Sequence, residues 1–322
     1  MRLIPLVLGT MLAAPVAASD FRLEQPIDCT LGTDCFIQQL VDLAPGPEVL
    51  DFRCGSLSYD GHKGTDFALP YLSDMEEGVN VLAAAEGTVL ATRNTMPDML
   101  YSAENAAQVE GTECGNGVVI GHEGGWQTQY CHLKQGSLAV TKGDRVTTGT
   151  VLGQVGLSGQ TQFPHLHLSV RYKGDVIDPF SPTNAPHCSA PPETSLWAAL
   201  PLHSPGGLIG AGFHDAIPDY SDIKAGTADL SPLQAKAGAL VFWAFAYGGL
   251  QGDVLRLHID GPDGAFISQD IVLERDQAQF FRATGRRLTT ERWPAGRYAG
   301  TATLIRGNST LGKSTHVMTV SD

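Results

Sequence analysis

The chain has 322 residues, enough for two domains, and its 43% hydrophobic and 17% charged content excludes disorder as the default state. The formal net charge is −13, from 34 acidic and 21 basic residues. Such a surface disfavours nucleic acid, anionic membranes and anionic polymers as electrostatic partners.

Residues 1–19 read as a secretory signal peptide. Arg2 supplies the positive start, residues 3–14 an apolar stretch, and Pro15-Val16-Ala17-Ala18-Ser19 the small residues of a cleavage site. The stretch is short for a bilayer span, and no cysteine stands beside the cleavage region to carry a lipid. The expectation is therefore an exported protein, periplasmic or secreted, without stable membrane insertion. Residues 20–52 form an N-terminal segment, in which 35–42 reads as either a strand or a short helix and Pro45-Gly46-Pro47 breaks the run.

From residue 53 to 182 the pattern is that of a β domain. Residues 79–90 read as strand, turn and strand, 118–120 and 128–132 as paired strands, and 151–155 and 165–171 as further strands. Residues 94–111 interrupt this sheet as an insertion, with 96–101 exposed or lying over a groove. A Pro-rich stretch, 183–205, reads as a linker. Residues 206–322 have an all-β texture, with strands at 240–246, 254–259, 280–283, 296–305 and 316–320 and a turn at Gly261-Pro262-Asp263-Gly264. Short strands separated by turns predict a β-sandwich-like C-terminal domain, with Trp243, Phe280 and Phe281 in its core rather than on a carbohydrate platform.

The six cysteines are Cys29, Cys35, Cys54, Cys114, Cys131 and Cys188. An even number in an exported chain points to disulfides, with 15 possible connectivities for six residues. Cys29 and Cys35 are placed to close a small loop. Cys114 and Cys131 flank a hairpin centred near Glu123-Gly124-Gly125, and Cys54 and Cys188 remain, tying the start of the β domain to its end. Period-2 alternation places Cys131 on the face opposite His132 and removes it as a ligand candidate.

Three short motifs carry the chemistry: Gly61-His62-Lys63-Gly64-Thr65-Asp66, Tyr130-Cys131-His132-Leu133 and Pro164-His165-Leu166-His167-Leu168. His165 and His167, two apart on a strand, present both imidazoles to one face of a sheet. Two imidazoles with a carboxylate available elsewhere are natural zinc ligands, and a catalytic zinc takes three protein ligands and one open position. His62, Asp66 and one of the paired histidines fill that need. The helical His-Glu-x-x-His pattern is absent at His122-Glu123, where position 126 is Trp. His122, His187, His203, His214, His258 and His316 read as surface or hydrogen-bonded core residues, and Asp144 as a turn cap. Gly153, Gly156 and Gly159 read equally as turn formers or as places where a peptide approaches the backbone. Residues 161–164 read as a groove wall or as plain loop.

Taken in order, with the glycine-rich run Gly115-Asn116-Gly117 and the Lys142-Gly143-Asp144-Arg145-Val146 turn between them, these motifs resemble the lysostaphin-type (LytM-like) zinc metalloendopeptidases, which are peptidoglycan hydrolases. The resemblance covers about residues 53–180. It implies a strand carrying the His-x-x-x-Asp and an antiparallel sheet forming a groove with one zinc per chain at its floor. It also assigns the metal to His62, Asp66 and His167 and leaves His132 and His165 as catalytic residues. Peptidoglycan peptides are then the expected substrate, and the C-terminal domain a place for a protein partner. Two rivals accompany this reading: a non-catalytic zinc-binding regulator of other wall hydrolases, against which the full residue set argues, and a zinc protease acting on exported proteins. Relatives of this kind can be held latent by a segment that fills the groove and ligates the metal, a role open here to acidic or amide residues of 20–52 and 94–111.

Overall fold

The computed structural model describes residues 21–188 and 194–321, so the signal peptide expected at 1–19 and part of the Pro-rich stretch lie outside the described residues. In chain order the strands are β1 (Phe36–Gln39), β2 (Thr65–Ala68), β3 (Asn80–Leu82), β4 (Gly87–Arg93), β5 (Asn116–Gly121), β6 (Trp126–Leu133), β7 (Arg145–Val146), β8 (Val151–Gln154), β9 (His165–Tyr172) and β10 (Asp175–Ile177). Beyond these come β11 (Gly207–His214), β12 (Leu233–Gln234), β13 (Ala239–Gly249), β14 (Val254–Gly261), β15 (Gly264–Val272), β16 (Gln277–Arg287), β17 (Gly296–Arg306) and β18 (Ser309–Ser321). The short helices are α1 (Leu72–Glu77), α2 (Ala106–Val109) and α3 (Tyr220–Ala225). The chain is mainly β, as its alternating apolar segments predict.

The first sheet runs β1-β2-β9-β6-β5-β4-β7, with β10 paired to β9. Its neighbours pair antiparallel. Alternation sorts the side chains of each strand between the two faces. On β9, Leu166, Leu168 and Val170 are fully buried among Phe67, Val118, Ile120 and Tyr130. His165, His167 and Ser169 therefore share the opposite face. The Cys35–Asp42 ambiguity resolves to a strand: β1 caps the edge of the sheet beside β2. Asp66 lies on β2, but His62 lies in the loop before it, so the strand expected to carry the whole His-x-x-x-Asp carries only its second half. The glycine at position 64, just ahead of β2, leaves room that a side chain would fill: a Cβ there would lie 2.5 Å from His167 Nε2.

The second unit is a sandwich. A three-stranded sheet, β11-β13-β16, faces a five-stranded sheet, β12-β18-β17-β14-β15. Between them lie Phe213, Phe242, Leu255, Leu257, Phe280, Tyr298, Leu304 and Met318, all buried. Phe280 belongs to this core, whereas Trp243 packs on the outer face of β13 with Ile223 and Phe245. β11 and β15 were not foreseen. β11 carries three glycines (Gly207, Gly210 and Gly212), which weaken a strand signal, and β15 is largely exposed. The two units touch directly: Phe36 of β1 stacks on Tyr247 of β13 with ring centroids 4.4 Å apart. Leu196 and Trp197, within the Pro-rich stretch, pack into the first core, with Leu196 N–H donating to Pro179 O.

Three disulfides form, Cys29–Cys35, Cys54–Cys188 and Cys114–Cys131, the pairing suggested by the sequence. The insertion at 94–111 packs on the 157–161 loop. Met99 N–H donates to Leu157 O and Tyr101 N–H to Thr161 O, while Asp98 accepts from the N–H groups of Leu157 and Gln135. It is a buttress on the 157–161 loop. Glycines in and just before that loop serve the same packing. A Cβ at Gly156 would overlap the Lys134 backbone, and one at Gly159 would overlap Glu113 O.

Candidate metal centre and active site

Asp66 and His167 are register partners across β2 and β9, and Cys131 of β6 pairs with His167 on the other side. Cross-strand partners project to the same face, so the ladder gathers the motifs at one place. Asp66 Oδ1 lies 2.8 Å from His167 Nδ1 and 3.2 Å from His62 Nε2, and the two ring nitrogens are 3.1 Å apart. A tetrahedral ion with bonds of about 2.0–2.1 Å spaces its donors about 3.3 Å apart. Two imidazoles and one carboxylate at nearly that spacing, with Asp66 and His62 each 2% exposed, fit a divalent metal. No Asp or Glu of 20–52 or 94–111 joins this cluster among the described residues.

His165 and His132 stand beside it. His165 Nε2 is 3.6 Å from Asp66 Oδ1. The His132 ring is 4.7 Å from that of His165 and 6.0 Å from that of His167, centroid to centroid. His132 does not arrive there by alternation. Its φ is 64°, a left-handed conformation unfavourable for a non-glycine residue, and the β5–β6 register shifts between Asn116 and Val118. The expected placing of Cys131 opposite His132 therefore fails as an argument, because alternation breaks at this residue. Cys131 is removed as a ligand by its bond to Cys114 instead.

Backbone carbonyls fix three of the four rings. Nδ1–H of His62 donates to Leu40 O at 2.6 Å, that of His132 to Ser158 O at 2.8 Å, and that of His165 to Phe163 O at 3.0 Å. A carbonyl can only accept, so in the neutral ring each Nε2 keeps its lone pair for the site. Thr161 lies 3.0 Å from His165 Nδ1 and donates its hydroxyl to Phe163 O, which makes the expected groove wall a support for His165. Leu40, Ser158 and Phe163 act through main-chain atoms, so no side-chain signal in the sequence could have marked them. Tyr59, half-exposed, lies 4.5 Å from the His62 ring and also escaped the sequence reading.

Electrostatics separate His62 from His132 and His165. Burial alone would raise the Asp66 carboxyl, but His62 and His165, with hydrogen bonds from His167 and His62, hold it well below the usual range. Burial likewise opposes the charge on His62, and Asp66 outweighs it, so the ring is raised. Burial pushes His132 well below the ordinary imidazole value, and repulsion from His165 and His167 adds to this. Burial also lowers His165, against the pull of Asp66. Burial thus favours the neutral form of both His132 and His165.

The sheet floor thus carries a His-Asp-His cluster fit for a metal, with two buried imidazoles at its side. Residues 60–179 match the family model described as Peptidase family M23. It is 30% identical over 135 residues to the peptidoglycan DD-endopeptidase ShyA of Vibrio cholerae, covering 42% of this chain and 26% of the relative. It is 32% identical over 120 residues to the DD-carboxypeptidase/endopeptidase Mpg of Neisseria meningitidis, covering 37% and 22%. Among solved structures, the catalytic domain of the prophage-encoded M23 protein EnpA from Enterococcus faecalis is 20% identical, with 50% of this chain and 95% of that chain covered at a TM-score of 0.33. The chain spans about a quarter of the length of the curated relatives it matches.

Proposed function

We propose that this chain is an exported zinc metalloendopeptidase that hydrolyses amide bonds in peptidoglycan cross-links or stem peptides. The observation that carries the reading is the convergence of His62, Asp66 and His167 on one point, with the Nε2 atoms of His132 and His165 kept free beside it. The relatives named for peptidoglycan endopeptidase activity supply the substrate class. Three disulfides fit an oxidising compartment, and the described residues contain no helix long and apolar enough to cross a membrane. The division into a peptidase domain at 53–182 and a C-terminal domain at 206–322 is part of this proposal.

Two imidazoles and a carboxylate suit zinc, which when bound would polarise a carbonyl and lower the pKa of a bound water to about 7. The remaining work falls to the protein. His62 and His167 donate ring nitrogens and Asp66 an oxygen. A neutral His132 or His165 takes the proton of the attacking water at Nε2 and returns it to the leaving amine. As the proton is held, the Nδ1–H bonds to Ser158 O and Phe163 O keep each ring in place and share its positive charge.

Digestion of purified sacculi by the zinc-loaded chain, set against a panel of unfolded proteins, tests the proposal. Release of muropeptides with newly freed amines is expected. Intact sacculi alongside cleaved proteins would reassign the substrate, and failure of the folded chain to take up zinc would remove the mechanism.

A further inference from the structure

His62 is steered from outside the family segment. Leu40 O accepts both the His62 Nδ1–H and the Ser58 hydroxyl at 2.6 and 2.7 Å. Asp42 N–H donates to His62 O, and Gly61 N–H to the Asp42 carboxylate, both at 2.9 Å. Ring and backbone of His62 are thus gripped by residues just beyond β1. Residues 40 and 42 precede the matched segment, which begins at 60.

The path of β1 into Leu40 is set by a bulge. Ile37 pairs with Phe67 and Gln39 with Asp66, so Gln38 is the extra residue between them. A bulge bends its strand and re-aims the residues after it. Gln38 is 1% exposed, and the partners of its amide lie on β16 of the sandwich. Nε2–H donates to Ala278 O at 2.9 Å, and Gln279 Nε2–H donates to Gln38 Oε1 at 3.1 Å. A buried amide with donor and acceptor both satisfied across an interface fixes one geometry, since either group left unpaired is costly. The Phe36–Tyr247 stack clamps the same strand two residues earlier.

We infer that Gln38 is a positioning residue for the metal centre, through which the C-terminal sandwich sets the ring of His62. The sandwich is then part of the support of the site, two steps removed from the ion: Gln279 and Ala278 hold Gln38, Gln38 holds the bulge, and the bulge places Leu40 O. The inference rests on His62 being a metal ligand.

Full-length Gln38→Leu, Gln279→Ala and the double variant test it by zinc competition against a chromophoric chelator, with thermal melting of the same samples. Loss of a direct partner of a metal-bound histidine typically costs roughly 10–100-fold in affinity, so one step further out a weakening of about 5-fold is expected for Gln38→Leu. Gln279→Ala should weaken zinc less, and the double variant no more than Gln38→Leu alone, because both act through one clasp. Zinc affinity within 2-fold of the wild type, whatever the melting temperature does, would overturn the inference and reduce the clasp to an interface contact. A wild-type chain that takes up no zinc would instead overturn the metal reading of His62 itself. Gln279→Ala, on the sandwich side of the interface, keeps the test decisive if Gln38→Leu fails to fold.

Discussion

Asp66 and His167 face each other across the β2–β9 ladder, with Oδ1 and Nδ1 2.8 Å apart. The contact joins residues 101 positions apart in sequence, and strand register alone brings them together. A one-residue slip of β9 would turn His165 and His167 into the core and Leu166 and Leu168 onto the site face. The hydrophobic face of β9 therefore protects the proposed metal centre as well as the fold.

The Cys114–Cys131 bridge bears directly on this site. His132 comes directly after Cys131, and its N–H donates to Cys114 O at 2.8 Å. The bridge spans 17 positions, and removing a closure of that size is expected to cost about 3 kcal/mol. Cys114→Ser with Cys131→Ser should lower the denaturant midpoint accordingly and reduce hydrolysis more than Cys29→Ser with Cys35→Ser does. Peptide mapping without reductant should recover three bridged pairs. Six free thiols would contradict both the pairing and the proposed compartment.

Gly159 offers a test of the loop that orients His132. Its φ is 84°, and a Cβ would overlap Glu113 O and the Gly115 backbone. Gly159→Ala should cost roughly 2–5 kcal/mol, combining left-handed strain with overpacking. Gly136 has a φ of 76° with open space around it, so Gly136→Ala should cost only about 1–2 kcal/mol of strain. Equal losses in urea melts would show that the close approach at Gly159 is not what demands glycine.

The motifs were legible because each ligand sits in a short run whose spacing matches a strand or a turn. His165 and His167 could be placed on one face from period 2 alone, and the hairpin brought Cys114 to Cys131. His132 could be grouped with the site but not aimed, because a left-handed residue breaks the alternation that such reasoning uses. His62 was assigned to a strand although it lies in the loop before β2, where Leu40 O fixes its ring. Leu40, Ser158 and Phe163 act through carbonyls that any residue supplies, so composition is blind to them. Gln38 reaches partners 240 and 241 positions away, which no local pattern reveals. The insertion at 94–111 was recognisable as extra, but its role as a buttress depended on backbone contacts with 157–161.

Asp178 gives the fold a pH dependence. Burial raises its carboxyl from 3.8 to about 7, with Asp51 adding to the effect, although Phe180 N–H donates to Oδ1. Its folded value lies above its unfolded one, so the folded state holds the proton more tightly. Stability should then be greatest below about pH 4 as far as this group is concerned, and fall as pH rises towards 7. The full change is on the order of 4 kcal/mol as an upper bound. Asp178→Asn should flatten urea-midpoint profiles across that window. A wild-type profile that rises with pH there, with no difference in slope from Asp178→Asn, would show the carboxyl to be ionised in the folded protein.

His167→Ala and His132→Ala separate holding the metal from moving the proton. His167 supplies one of three converging donors, so its loss leaves His62 and Asp66 alone and should weaken zinc binding markedly. His132→Ala leaves all three donors in place, and the variant should purify with zinc close to one per chain. Its peptide-bond hydrolysis should nevertheless fall by roughly 10²–10⁴-fold, the usual worth of a positioned proton-transfer group. His165→Ala should resemble His132→Ala, with some loss of metal because His165 Nε2 lies 3.6 Å from Asp66 Oδ1. Zinc content and hydrolysis must be read on the same preparations. Zinc lost from His132→Ala but kept by His167→Ala would exchange the two roles. Wild-type activity in every variant would place the hydrolysis outside this site.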